Sequence, residues 1–198
     1  KSITTGEGGM VVTPRQDLFE KAALLRSHGI TRDPGRMDGD TEGPWYYQQV
    51  DLGYNYRLTD IQAALGLSQM RRLDEFVARR RALVARYSDR LADLPVTLPW
   101  QHPDASSAWH LYVIRLRLDR IRKSRREVVA ALHAAGIGVN VHYIPVHTQP
   151  YYRQLGFRRG DFPNAEAYYA QALTLPLFVR LTEEDQDRVI GALERVLP

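Results

Sequence analysis

GYNYRLTDIQAA, residues 53–64, is the most informative part of the sequence, because a turn rich in aromatic and polar side chains leads there into a helix start. Thr59 and Gln62 have the spacing of a capping box, in which each side chain bonds to the backbone N–H of the other residue. Apolar residues then recur at helical spacing as far as Leu94, and Pro95 ends the pattern. The pattern predicts one long helix or two helices in tandem.

The residues before this helix predict a strand, a helix and a loop. Residues 10–12 are a short apolar run that indicates a strand. A further capping box, Thr13 to Gln16, opens an amphipathic helix over residues 14–28, which Gly29 ends. Residues 31–44 are polar, contain five glycine or proline residues and show no periodicity, so they predict a loop.

The residues after Pro95 alternate between strand and helix patterns, which predicts an α/β fold class. We place a domain boundary at residues 94/95, because a proline-containing stretch follows and leads into a new strand pattern. Ser124 and Glu127 form another capping box, and Gly136 ends its helix. In chain order the predicted elements are a strand over 109–118, a helix over 124–136, a strand over 137–144, and helices over 164–173 and 182–197.

The composition excludes several classes of protein. The chain has 198 residues and no cysteine, which excludes a disulfide scaffold and a cysteine nucleophile. No apolar run approaches the roughly 20 residues of a membrane span, and we expect a cytoplasmic protein with no membrane partner. The net charge of +4 is small, so the arginine-rich helix face is interpreted as a solvated surface and no nucleic-acid partner is expected. The histidines lack metal-ligand spacing, so no metal site is expected.

Three short stretches combine residue types that carry chemistry. They are Lys1 ahead of a glycine turn over residues 6–9, the turn GYNYR over 53–57, and NVHYIPVH over 140–147. Amide, imidazole and phenol groups in loops and at strand ends favour functional sites over cores. The alternatives stay open, since a first lysine can simply be exposed and GYNYR can be a turn with stacked aromatic rings. No Walker lysine or dinucleotide fingerprint follows the glycine turn, so a nucleotide P-loop is excluded.

The same stretches resemble the DegT/DnrJ/EryC1/StrS family of sugar aminotransferases. The motif KSITTGEGG over 1–9 matches in this resemblance, and three more stretches agree in order and spacing: LRSHG over 25–29, residues 53–64, and VNVHYIPVH over 139–147. The resemblance covers essentially the whole chain and implies the fold of PLP-dependent transferases of fold type I. Family members are about twice this length, so we expect a C-terminal piece of a longer chain. Residues 1–94 would then be the end of the large PLP-binding domain, and residues 95–198 the small α/β domain.

The resemblance also implies roles for individual residues. Lys1 matches the catalytic lysine that forms a Schiff base with pyridoxal 5'-phosphate, and Asn55 matches the residue that reaches the cofactor phosphate of the neighbouring subunit. A homodimer with a shared active site is therefore expected. Arg57 is a candidate anion contact to the cofactor or donor, or a structural arginine of the interface. The stretch expected to contact the nucleotide sugar comprises Asn140, Val141, His142, Tyr143 and His147; for His147 the alternative is a buried, hydrogen-bonded histidine.

The implied activity is transfer of an amino group, with glutamate as donor, to the keto carbon of a 4-keto-6-deoxy nucleotide sugar. Residues 43–47 (GPWYY) and 149–152 (QPYY) look most like the transaminases of pseudaminic acid synthesis, which act on a UDP-4-keto-6-deoxy-N-acetylhexosamine. Related dehydratases carry histidine in place of the lysine, and Lys1 argues against that chemistry. A non-catalytic fragment, serving as an interaction or regulatory module of the same fold, is the alternative from another class.

Overall fold

The computed structural model of the chain describes residues 1–197, which fold into seven α-helices and five short strands. By packing, these residues divide into two compact units: Ile3–Arg71, and Lys1–Ser2 together with the chain from Arg72 onwards. In chain order the elements are α1 (Gln16–Arg26), β1 (Ile30–Thr31), β2 (Gln48–Gln49), α2 (Asp60–Met70), α3 (Leu73–Arg90), β3 (Val96–Thr97), β4 (Tyr112–Leu116), α4 (Arg125–Ala134), α5 (Pro150–Gln154), α6 (Pro163–Gln171), β5 (Ala172–Leu175) and α7 (Glu183–Val196).

The first unit, Ile3–Arg71, is built from α1, α2 and an antiparallel β1–β2 pair. The capping box at the start of α2 is present, because Thr59 accepts from the backbone N–H of Gln62 and the Gln62 side chain bonds to the backbone of Thr59. Gln62 Nε2 also donates to the carbonyl of Glu7 at 2.8 Å. The turn that follows the first motif is thereby tied to the start of α2.

The second unit contains the main hydrophobic core. Strands β3, β4 and β5 form an antiparallel sheet with β4 in the centre, and β4 pairs with β5 from Tyr112↔Leu175 to Arg115↔Ala172. Side chains from α3, α4 and α7 join the sheet in one buried cluster, which includes Leu83, Ile114, Leu132 and Leu193. Burial of apolar surface between the helices and the short sheet therefore stabilises this small α/β fold.

A polar pair of tyrosines lies inside this core. The rings of Tyr87 and Tyr112 stack at 5.1 Å, and neither residue is exposed. Tyr87 donates its hydroxyl to the carbonyl of Pro176 at 3.0 Å, and the Tyr112 hydroxyl bonds with that of Ser88 at 3.0 Å. Burial raises the pKa of both phenols, so both hydroxyls stay protonated and bonded.

The sequence predictions for the helices hold with shifted boundaries. The long pattern forms two helices, α2 and α3, and the capping box of Ser124 and Glu127 is present at the start of α4. The capping box predicted at Thr13 is wrong, since α1 begins at Gln16 and the Thr13 hydroxyl accepts from the N–H of Arg15 at 3.1 Å. Gln16 is then the first residue of the helix and its amide bonds forward to Glu20 at 2.9 Å.

The strand predictions were less accurate. Residues 10–12 are not a strand and are exposed, because no strand of residues 1–197 pairs with them. The predicted strand over 137–144 reduces to one isolated bridge between Asn140 and Thr174. Strand β5 was not predicted, since its residues follow directly on the helical pattern of α6.

The compact units divide at residues 71/72, whereas the sequence placed a boundary at 94/95. The difference arises from α3, which buries Phe76, Arg80, Leu83, Val84 and Tyr87. Most of that face belongs to the core of the second unit, so α3 packs with the sheet that follows it. The assignment of residues 1–94 to the end of a large domain remains a proposal.

Candidate active site

Lys1 lies in the second unit together with two histidines. Its side chain is exposed. Burial lowers the pKa of His110, and positive charge from Lys1, from Arg80 and from His142 adds to this effect. Because such charge effects require proximity, these side chains share one region of the unit. The amine predicted to be catalytic is therefore near His110 and near His142, of which the sequence assigned His142 to the substrate.

Arg80 links the start of β4 to the end of β5 next to His110. The residue is only 6% exposed, and its Nη1 donates to the carbonyls of Trp109 at 3.1 Å, His110 at 3.2 Å and Leu177 at 3.1 Å. Burial lowers the pKa of its guanidinium. The chain entering β4 and the chain leaving β5 are thereby joined by one side chain. Sequence reasoning missed this role, because the arginine belongs to a run of three on one helix.

The segment carrying Asn140, His142 and Tyr143 is anchored on β5 by a single residue. Thr174 donates its backbone N–H to the Asn140 carbonyl at 2.7 Å, and its carbonyl accepts from the Asn140 N–H at 3.2 Å. The Thr174 hydroxyl bonds to Nδ1 of His142 at 2.8 Å. The Tyr143 ring, 71% exposed, meets the His142 ring edge-on at 4.4 Å. This arrangement leaves Nε2 of His142 and the phenol of Tyr143 without a partner in residues 1–197.

His147 occupies a different environment from the other residues of its motif. It is 7% exposed, its Nε2 bonds to Oε1 of Glu166 at 2.8 Å, and its ring packs against Phe162 at 4.8 Å. The same Glu166 oxygen accepts the N–H of Gly160 at 2.6 Å. The structure therefore favours the alternative of a buried, hydrogen-bonded histidine over a direct contact with substrate. Val141 lines a cleft whose lining does not include Asn140, His142 or Tyr143.

The His147–Glu166 pair predicts a pH-dependent contribution to stability. Bonds from the Gly160 N–H and from His147 hold the pKa of Glu166 below its ordinary value of 4.5. A depressed carboxyl pKa stabilises the folded state above the unfolded-state value, and that stabilisation is lost as pH falls through the folded-state value. We therefore expect Glu166→Gln to lower the melting temperature near pH 7 and to differ less from wild type as pH falls below about 4.

Thermal unfolding followed by circular dichroism from about pH 3 to about pH 8 checks this expectation, because this range includes the ordinary pKa of a glutamate. Glu194→Gln is the matched control, because Glu194 is an exposed glutamate without a bond to His147. If the difference in melting temperature between wild type and Glu166→Gln stays constant down to low pH, the charge of the carboxylate contributes nothing to the stability of the folded state.

Asn55 and Arg57 lie in the first unit on a turn fixed by backbone bonds. Tyr54 exchanges bonds with α1 and the turn after it, donating to Leu25 at 2.7 Å and accepting from His28 at 2.9 Å. The rings of Tyr54 and Tyr56 stack at 4.9 Å. The Asn55 and Arg57 side chains are exposed and make no hydrogen bond within residues 1–197.

Two glycines allow this turn to approach the end of α1. Gly29 has φ +70°, and a Cβ on it would overlap the carbonyl of Asp51. A Cβ on Gly53 would overlap the backbone of His28 and Gly29. The motifs LRSHG and GYNYR therefore form one backbone unit, in which glycine is required at both positions for close approach.

The donor groups of these residues fit pyridoxal phosphate. Lys1 supplies a primary amine, which is the group that combines with an aldehyde. Asn55 and Arg57 supply unengaged N–H donors of the kind that bind phosphate. Among residues 1–197, no group of three or more histidine and carboxylate side chains has the geometry of a metal site, and no helix is long and apolar enough to cross a membrane.

Comparison with known proteins agrees with these features. The model of the DegT/DnrJ/EryC1/StrS aminotransferase family matches residues 1–194. The chain belongs to the DegT/DnrJ/EryC1/StrS aminotransferase family. Members of this family are PLP-dependent, so the expectation of this cofactor is confirmed at the level of the family.

Individual relatives support the same placement. The chain is 38% identical to the spore coat polysaccharide biosynthesis protein SpsC of Bacillus subtilis over 200 residues, which cover 100% of the chain and 51% of SpsC. Spr1654 of Streptococcus pneumoniae, solved in its PMP form, matches with a TM-score of 0.87 and 31% identity over 99% of the chain and 50% of Spr1654. The chain spans about half the length of the curated relatives it matches.

A further solved structure comes from sugar biosynthesis. PseC of Helicobacter pylori, an aminotransferase involved in the biosynthesis of pseudoaminic acid, matches with a TM-score of 0.87 and 30% identity over 100% of the chain and 50% of PseC. The predicted fold class is confirmed: the chain is a portion of the α/β fold of PLP-dependent transferases of fold type I.

Proposed function

We propose that the protein is a PLP-dependent aminotransferase that transfers an amino group from glutamate to the keto carbon of a 4-keto-6-deoxy nucleotide sugar. UDP-4-keto-6-deoxy-N-acetylhexosamine is the proposed substrate. The observation that carries the proposal is the position of Lys1, at the head of the family motif and in the region of His110 and His142. The similarity to PseC supports the choice of sugar.

In this proposal Lys1 has two tasks. Its amine would hold the aldehyde of the cofactor, and the same amine as a free base would move a proton at the donor's α-carbon. The second task requires the unprotonated amine. The bound cofactor supplies the electron sink for breaking bonds at that carbon. Burial lowers the pKa of His110, which favours a neutral imidazole near Lys1 at neutral pH.

The groups proposed to bind the nucleotide sugar are Asn140, His142 and Tyr143. His142 is oriented by Thr174 through Nδ1, so its Nε2 can bond to a sugar hydroxyl or to a diphosphate oxygen. The exposed Tyr143 ring offers a face for packing and a hydroxyl for bonding. We assign no sugar contact to the other two residues of the stretch, because His147 bonds to Glu166 and Val141 lines the cleft that His142 does not line.

We also propose that the active site is shared between two subunits of a homodimer in the cytoplasm. Asn55 and Arg57 donate to the phosphate of the cofactor held by the neighbouring subunit. The free side-chain donors on a rigid turn support this role, because such donors bind phosphate with little reorganisation. Residues 1–94 would then belong to the large domain of each subunit.

Asn55→Ala is expected to weaken retention of PLP. Loss of one hydrogen bond to a charged phosphate predicts a roughly tenfold weaker affinity. Titration of the purified gene product with PLP, followed by cofactor absorbance, measures this change. Gln69→Ala is the matched control, since Gln69 is an amide of the same unit on α2, outside the motif, and its side chain makes no hydrogen bond within residues 1–197. Unchanged retention in Asn55→Ala would remove this residue from the cofactor site.

The direct test of the function is an assay of amino transfer by the purified gene product with added PLP. Glutamate and UDP-4-keto-6-deoxy-N-acetylhexosamine are supplied, and the aminated sugar is detected by mass spectrometry. We expect product that depends on both substrates. Absence of product with this and other 4-keto-6-deoxy nucleotide sugars would contradict the proposal and favour a non-catalytic module of the same fold.

A further inference from the structure

The second unit contains a cleft of about 870 Å³ that none of the proposed substrate contacts Asn140, His142 and Tyr143 lines. It lies between α4, α6 and residues Val141, Ile144 and Pro145 of the segment that carries those three residues. A volume of this size is within the range of ligand pockets in proteins. Nothing in the proposed reaction uses this cleft.

The floor of the cleft is apolar. Aliphatic side chains from four parts of the unit meet there: Leu118, Val129, Val141, Ile144, Pro145 and Ala167. Ile144 is half exposed, so the floor is open to a ligand. Burial of such a surface favours a ligand with an apolar body.

The rim of the cleft is cationic. Three arginines and one carboxylate line it, namely Arg125, Arg126, Arg159 and Glu166, so the net charge is +2. Arg125 is engaged, because it donates to the carbonyl of Tyr169 and stacks over the Tyr169 ring at 4.5 Å. Glu166 is engaged by His147 and Gly160.

Arg126 and Arg159 are the two cations of the rim without a partner. Neither makes a hydrogen bond or an ion pair within residues 1–197. Arg159 is near enough to help lower the pKa of Glu166 but forms no ion pair with it. Both guanidinium groups are exposed at the rim, where their combined charge attracts an anion with a strength that falls as salt is added.

We propose that this cleft is a second binding site, for an organic anion whose apolar body covers the floor and whose carboxylate or phosphate pairs with Arg126 and Arg159. Guanidinium groups bind both head groups through two parallel N–H donors. The inference goes beyond the proposed aminotransferase activity and does not depend on it. Because Val141 and Ile144 belong to the segment that bears His142, a ligand in the cleft contacts the segment that carries the proposed sugar contacts.

The test is titration of the gene product with decanoate, followed by ¹³C-methyl NMR of Val129, Val141 and Ile144. Two further amphiphiles have an alkyl chain similar to that of decanoate. Decyl phosphate carries a different anionic head group, and decyltrimethylammonium carries a cationic one. All three are used below their micelle concentrations. We expect shifts confined to the cleft methyls and at least about tenfold tighter binding of an anionic amphiphile than of the cationic one. Whichever anion binds tighter identifies the preferred head group.

Variants separate the two arginines from general surface charge. Arg126→Gln and Arg159→Gln should each weaken decanoate binding roughly tenfold, whereas Arg195→Gln, an exposed arginine on α7, should leave it unchanged. In the wild type, added salt should weaken binding of decanoate but not of decyltrimethylammonium. Equal binding of all three amphiphiles, shifts outside the cleft, or equal loss in Arg195→Gln would overturn the proposal.

Discussion

Lys1→Ala in the gene product is expected to reduce amino transfer by at least about 10³-fold, because it removes both the covalent attachment of the cofactor and the amine that moves the proton. The visible absorbance of the covalently held cofactor should disappear as well. The effect should appear mainly in kcat, since binding of the sugar nucleotide is assigned to other side chains, namely Asn140, His142 and Tyr143. Stopped-time assays with glutamate and the keto sugar measure it.

Lys21→Ala is the matched control for this variant. Lys21 forms an ion pair with Asp51 at the surface, and exposed pairs contribute little to stability. This variant should keep the absorbance of the bound cofactor and the activity. An equal loss in Lys21→Ala, or an active Lys1→Ala enzyme, would contradict the role assigned to Lys1.

Tyr112→Ala is expected to destabilise the second unit by about 3–5 kcal/mol, the range for removing a large aromatic side chain from a core. Tyr112 is fully buried in the central strand, stacks on Tyr87 and bonds to Ser88. The variant would lose the stacking and leave a cavity beside two polar groups. Since a domain is stable by only about 5–15 kcal/mol, partial unfolding at ambient temperature is expected.

Urea unfolding followed by tryptophan fluorescence and circular dichroism measures this loss. Tyr151→Ala is the control, because Tyr151 is 67% exposed and outside the core; it should change the free energy of unfolding by less than about 0.5 kcal/mol. Equal stability of Tyr112→Ala and wild type would show that the stacked pair is not part of a packed core.

Elements with local signals were predictable from the sequence. The boxes Thr59–Gln62 and Ser124–Glu127 start helices where expected, because capping depends on residues three positions apart. Gly136 ends α4 with φ +76°, a conformation that glycine adopts without strain. The motifs LRSHG and GYNYR could also be recognised in the sequence. Their glycines, Gly29 and Gly53, lie where two backbone segments approach closely.

Elements that depend on distant partners were not predictable. Strand β5 exists because β4 pairs with it across more than fifty residues of chain, and its own four residues continue a helical pattern. The run over residues 10–12 has strand composition but no pairing partner in residues 1–197. The sequence of a short segment indicates its propensity to form a strand, whereas tertiary contacts decide whether that strand finds a partner in a sheet.

The candidate site also contains residues that local motifs predict and residues whose roles depend on distant partners. Lys1, His142 and Tyr143 were singled out from motifs, yet the residues that hold them in place were not. Thr174 anchors His142 and Arg80 joins the strand ends near His110, and both contacts span more than twenty residues of chain. His147 turned inward because Glu166 offers it a partner, a contact that no motif reveals.

The most direct test of the central claim is borohydride reduction of the purified gene product after incubation with PLP, followed by intact-mass and peptide mass spectrometry. Reduction makes a covalent link between lysine and cofactor permanent, so the modified residue can be identified. We expect a phosphopyridoxyl group on Lys1 and none on Lys21 or Lys123. An unmodified Lys1 in a folded protein saturated with PLP would contradict the assignment of Lys1 as the lysine that binds the cofactor.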